Sequence, residues 1–128
     1  TPGELCQIPD SYRYPEKVPY CKRDVESDLK WDIIDAYDKN LGYQIRETGR
    51  HEFKIDHYIP LCMGGSNERE NLWPQHVSVY KQTDMMEQVA CEKMSAGRLL
   101  QKEAVEMIKR GKNNLAEVPA ILRQLKTL

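Results

Sequence analysis

The chain has 128 residues, with 19 Lys and Arg against 20 Asp and Glu, four cysteines and 40% hydrophobic residues. That length fits one domain with a modest core, and no apolar run approaches the roughly 20 residues of a membrane-spanning helix, which excludes an integral membrane protein of that kind. The near-zero net charge hides an asymmetry: residues 1–87 hold 11 basic against 16 acidic residues and residues 88–128 hold 8 against 4, a basic C-terminal third that reads most simply as solvated helix surface.

In chain order, Thr1-Pro2-Gly3 is an odd start for a cytosolic chain and points to a mature form whose leader was removed, hence to export, or to a chain trimmed to resemble one. Residues 1–23 read as irregular. Cys6 and Cys21 bracket the proline-rich "QIPDSYRYPEKVPY", and a crosslink would order it; Cys62 with Cys91 would then tie a loop to a later helix. None of the four lies in a CxxC pair, so zinc-ribbon and thioredoxin spacings are missing. Four reduced thiols are the alternative, and spacing alone does not fix the connectivity.

A helix is predicted from about Val25, with Leu29, Ile33, Ile34, Tyr37 and Leu41 on one face, Asp24 or Ser27 as cap and Gly42 as stop. Short strands are predicted over 43–46, 52–59 and 71–74. A long helix follows over 77–94, with Met85, Met86, Val89 and Ala90 on its apolar side, and Met63, Met85, Met86 and Met94 read as core filler. Two more helices are expected in "LLQKEAVEMIKRG" and "LAEVPAILRQLKTL", the second started near Pro119. The sum is one α+β domain over 1–128: a stapled segment at 1–23, a core at 43–95 and packing helices at 98–128.

Chemistry concentrates in "KIDHYIPLCMGGSNERENLWPQH", residues 54–76. Asp56 is a hard oxygen ligand suited to Mg2+, Mn2+ or Ca2+, and His57 titrates near neutral pH, as a general base must. An Asp-His dipeptide alone is more often an ordinary polar pair. Here a Gly64-Gly65-Ser66-Asn67 turn returns the chain to Asn71-Leu72 beside it. An Asn71 carbonyl accepting from the imidazole would fix its tautomer and leave the other nitrogen free to take a proton from water. Trp73 and Pro74 read as packing residues. Arg46, Arg50, His51, Lys54, Arg69 and Lys81 lie near the motif in sequence and are candidate phosphate contacts without base preference.

Residues 55–75, "IDHYIPLCMGGSNERENLWPQ", resemble the HNH or ββα-metal (His-Me finger) nucleases, and especially a branch of small exported bacterial proteins with a D-H-x-I-P-L-x-x-G-G-S-N…N-L-W-P-Q signature. The helix after it is similar to that branch more weakly. The resemblance implies a ββα-metal core with additional packing helices and a metal-dependent endonuclease, secreted or periplasmic, cutting DNA and as a further substrate RNA. In that scheme His57 is the general base, Asn71 orients it, and Asp56 ligates one divalent ion, Mg2+ or Mn2+ with Zn2+ as the alternative. Arg50, Lys54, Arg69 and Lys81 are then the nucleic-acid contacts.

The sequence departs from the family at one position. A His or Asn metal ligand is usual nine residues after Asn71, where this chain has Tyr80. His76, Gln75, Asp84 and Glu87 are the substitutes; imidazole being a common ligand, His76 is preferred. The alternative function is a nucleic-acid-binding or structural module that kept the fold while its metal site degenerated. A toxin domain would in addition require an immunity or inhibitor protein as partner.

Overall fold

Two hairpins and four helices make up the described part of the protein, residues 2–41 and 52–128 of the computed structural model, a mixed α+β arrangement. The first hairpin, β1 (Ser11–Arg13) with β2 (Val18–Tyr20), lies where irregular structure is expected from the sequence. Its strands are too short for alternation to show. Its turn closes with Lys17 N–H donating to the Tyr14 carbonyl at 2.9 Å, and both residues have positive φ, 69° at Tyr14 and 64° at Lys17. Neither is a glycine, so the usual composition signal for such a turn is missing.

The hairpin sits inside the loop closed by the Cys6–Cys21 disulfide, and a second disulfide joins Cys62 to Cys91. Both bridges favoured from the sequence are therefore present. Helix α1 (Ser27–Leu41) follows and packs on the second hairpin with Ile33 and Ile34 buried, as its apolar face predicts.

In the second hairpin β3 (Phe53–His57) pairs antiparallel with β4 (Leu72–His76), in a register that sets Phe53 opposite His76, Asp56 opposite Trp73 and His57 opposite Leu72. The expected strand over 43–46 lies outside the described residues. The strand expected over 52–59 ends at His57, because Tyr58 and Ile59 donate instead to the Asn71 carbonyl and side-chain oxygen at 2.8 and 2.9 Å. In the loop between the strands, a Cβ on Gly65 would meet the Ile59 carbonyl oxygen at 1.8 Å, so only glycine fits there. Residues 3–6 run along the far side of this loop: Gly3, Cys6 and Ser66 amides donate to the Glu70, Gly64 and Glu4 carbonyls at 2.8–3.0 Å.

The remaining helices are α2 (Val77–Ser95), α3 (Gln101–Asn113) and α4 (Val118–Lys126), packed on one another. Met86, Ala90, Met94, Ile108, Ile121 and Leu125 fill their shared core, which continues through Met63 to Tyr58 and Ile59. Pro119 sits in the first turn of α4, where its missing N–H costs nothing. Met85 is exposed, contrary to its assignment as core filler: one position before Met86, it is rotated about 100° to the solvent side of α2. No helix among the described residues is long and apolar enough to cross a membrane.

Candidate active site

The strand β3 delivers Asp56 and His57 to its last two positions. Neighbouring strand residues point to opposite faces, yet both line one cleft of about 330 Å3. The strand ends there, and the Asp56 carboxylate folds forward so that its Oδ1 accepts from the His57 amide at 2.9 Å. Glu87 of α2 and Arg13, Tyr20 and Arg23 of the N-terminal segment line the same cleft. The Arg13 guanidinium stacks on the Tyr20 ring at 3.5 Å from its centroid.

His57 is 3% exposed. Its Nε2 lies 3.0 Å from Asn67 Oδ1, and its Nδ1 is buried with no hydrogen-bond partner among the described residues. The orientation of Asn67 is set by backbone: its Nδ2 donates to the Lys22 carbonyl at 2.7 Å and its Oδ1 accepts from the Asp24 amide at 3.1 Å. An oxygen so fixed can only accept, so Nε2 carries the proton and Nδ1 the lone pair. Burial holds the His57 pKa below the ordinary 6.5; Arg23 and Lys112 push the same way, against the Asn67 hydrogen bond and the Asp56 charge. The imidazole at the cleft is therefore neutral at pH 7.

Contrary to the expectation from the sequence, the Asn71 side chain is bonded to the loop backbone and not to the His57 imidazole. Fully buried, it holds the loop: its Oδ1 accepts from the Ile59 and Glu4 amides at 2.9 and 3.3 Å and its Nδ2 donates to the Ile59 and Ser66 carbonyls, both at 2.9 Å. The residue beside the imidazole is Asn67, four positions earlier in the same turn.

His76 lies at the other end of the hairpin, three strand pairs from Asp56, about 10 Å along β4. It caps α2, accepting from the Ser78 amide at 3.1 Å through Nδ1, and its Nε2 is 3.9 Å from Glu52. The carboxylate that shares the cleft with Asp56 is Glu87, whose Oε1 stands 2.6 Å from Lys112 Nζ. Burial pushes the Glu87 carboxyl above the usual carboxylate range; Lys112 counteracts this, while Asp56 and Asp84 reinforce it. Gln75 is buried and bonded to Thr83 at 3.3 Å.

Tyr80, nine residues after Asn71, holds the Lys54 ammonium 4.1 Å above its ring; the same ammonium is 3.6 Å from Asp56 Oδ2 and 4.0 Å from Asp84 Oδ1. Lys81 is exposed on α2. Arg69 lines a separate hollow beside α1, with Pro2 and Tyr37. Arg50 lies outside the described residues.

The chain matches no family model, no curated protein and no solved structure. What the cleft can do chemically follows from its own residues. Among the described residues, no group of three or more His, Cys, Asp or Glu side chains is placed to hold a metal ion. Asp56 and Glu87 nevertheless both line the cleft as hard oxygen donors, which fits an ion that completes its shell with water and substrate oxygens, as Mg2+ does. A larger groove, about 890 Å3, lies on the far side of Arg23 and Asn67, but Glu4, Asp10, Asp24, Glu26, Glu68 and Glu70 rim it and would repel a phosphate. Among the described residues, His57, Arg13, Arg23, Asp56 and Glu87 meet in the 330 Å3 cleft.

Proposed function

We propose that the protein is a metal-dependent endonuclease of the HNH type, built on a ββα core of β3, β4 and α2, that hydrolyses DNA, and RNA as a further substrate, with little sequence preference. The observation that carries the reading is the His57 imidazole, bonded through Nε2 to Asn67 and with a buried Nδ1 that has no partner among the described residues, lining a cleft that also holds two carboxylates and two arginines.

Within this reading His57 Nδ1 accepts the proton of the attacking water, and Asn67 holds the ring by its other nitrogen as positive charge develops. Asp56 and Glu87 would hold one divalent ion, Mg2+ or Mn2+, which supplies charge neutralisation at the scissile phosphate and at the leaving 3′ oxygen. Zn2+ suits the pair less well, since it favours three or four nitrogen and sulfur ligands. Arg13 and Arg23 would take phosphate oxygens in place of Arg50, Arg69 and Lys81; such contacts position a strand without reading its bases. The two disulfides fit an oxidising compartment and so a secreted or periplasmic protein.

A second reading, the degenerate module, has an observation of its own. Lys54, seated on Tyr80 and against Asp56, is a built-in counter-charge near the place of the ion. Supercoiled plasmid incubated with the protein and with His57→Ala, in Mg2+, Mn2+ or Zn2+ and in EDTA, separates the two. Metal-dependent cutting lost in the variant supports the nuclease; an uncut plasmid under every ion supports the module.

A further inference from the structure

The last turn of α3 buries a charge under the cleft. Lys112 has no exposed side-chain surface, and taking an ammonium out of water is costly unless each of its protons finds an acceptor. Two carbonyls accept from it, that of His57 at 3.0 Å and that of Tyr58 at 2.9 Å, and the Glu87 carboxylate stands beside it as an ion pair, with Oε1 at 2.6 Å. The two acceptors are the backbone of the histidine and of the residue after it, and the ion-pair partner is the second carboxylate of the cleft. The approach of α3 is tight enough that a Cβ on Gly111 would meet Met86 Sδ and Cε at 2.6 Å, and it is this contact, one residue away on each helix, that brings Lys112 against Glu87.

We propose that Lys112 is a positioning residue of the site, fixing the Glu87 carboxylate and the His57 backbone in one geometry so that the second oxygen of Glu87 is the one presented to the cleft beside Asp56. The proposal rests on the metal-nuclease reading. It assigns to α3 a part in the chemistry that neither touches substrate nor is exchangeable for apolar packing: an uncharged side chain of the same length would fill the space but leave Glu87 without the partner that orients it.

The test is divalent-ion affinity, read apart from cleavage. Mn2+ binding is measured by calorimetry on the wild type, Glu87→Gln, Lys112→Met and, as a matched structural control, Tyr58→Phe, which removes the 2.9 Å bond from the Tyr58 hydroxyl to Asn113 that also joins the residue after β3 to α3. Loss of an outer partner of a ligand typically weakens metal binding about 10- to 100-fold, and that is the loss expected for Lys112→Met, with affinity unchanged in Tyr58→Phe. Wild-type affinity in Lys112→Met, with Glu87→Gln weakened, overturns the Lys112 assignment and leaves the nuclease reading standing; equal losses in Lys112→Met and Tyr58→Phe overturn it too, as general loosening. Absence of Mn2+ binding by the wild type removes the metal reading and this inference with it. Should Lys112→Met not fold, the wild type decides: the 15Nζ resonance of Lys112, sheltered from solvent exchange, shifts in step with Mg2+ saturation if the assignment holds, and stays fixed if it does not.

Discussion

His57 and Asn67 meet through Nε2 and Oδ1 at 3.0 Å, and the amide that holds the imidazole is itself held by the backbone of residues 22 and 24. The tautomer of the cleft histidine is thus dictated by a segment more than 30 residues away in sequence, just beyond the Cys6–Cys21 bridge.

The two loop asparagines should therefore fail in different ways. Asn67→Ala removes a half-buried contact and is expected to lower cleavage while leaving the melting temperature nearly unchanged. Asn71→Ala strands buried backbone groups of Ile59 and Ser66, and is expected to cost about 2–4 kcal/mol in denaturant unfolding. Comparable stability losses in the two variants would contradict this division of roles.

Acid should switch the site off late. Burial lowers the His57 pKa from 6.5, so the neutral base persists below that pH and the acid limb of the kcat/KM profile is expected under pH 6.5. Asn67→Ala, which removes a hydrogen bond that raises the pKa, should move the limb lower still. The same shift has a stability consequence. The unfolded chain takes up a proton near 6.5 and the folded one resists it, so this contribution is full above 6.5 and is lost as pH falls through the lower folded-state value. An acid limb above 6.5 would show that another group sets it.

Glu87 and His76 offer the sharpest choice between ligands. Glu87→Gln is expected to weaken Mn2+ binding and abolish cleavage. His76→Ala should keep both and lose only the cap of α2, about 1 kcal/mol by thermal unfolding. Cleavage that survives in the first and vanishes in the second would restore His76 as the ligand.

Each disulfide closes a loop of the unfolded chain, with separations of 15 residues for Cys6–Cys21 and 29 for Cys62–Cys91. Chain entropy assigns them roughly 3 and 3.5 kcal/mol. Paired Cys→Ser variants should lower the melting temperature in that order. The Cys6/Cys21 pair should in addition reduce cleavage beyond its thermal cost, because the Asn67 anchor at residues 22 and 24 loosens with it. Unchanged melting under reductant, with four free thiols counted beforehand, would show that neither bridge forms.

The helices were legible because each buries a stripe at helical spacing, and the pairing of the cysteines because a proline-rich segment lay between two of them. The β1–β2 hairpin was hidden by its three-residue strands and by positive φ at Tyr14 and Lys17, which no local rule assigns to such residues. Within the cleft, Asp56 and His57 stood out from local pattern alone. Asn67 did not, since what selects it over Asn71 is contact with residues 22–24, a long-range fact. Glu87 was one candidate among several: about 15 Å of helix brings the chain back from His76 to the level of Asp56, which a sequence shows only once the direction of α2 is known.

The groups around the cleft are drawn from nearly the whole chain: Arg13 and Arg23 near its beginning, Asp56, His57 and Glu87 in the middle, and Lys112 close to its end. A polypeptide leaving the ribosome has its arginines and its histidine in hand long before the lysine that closes the arrangement. Until α3 is synthesised and docked, the nascent chain holds every group that lines the cleft, while the His57 backbone and the Glu87 carboxylate still lack the buried ammonium that joins them.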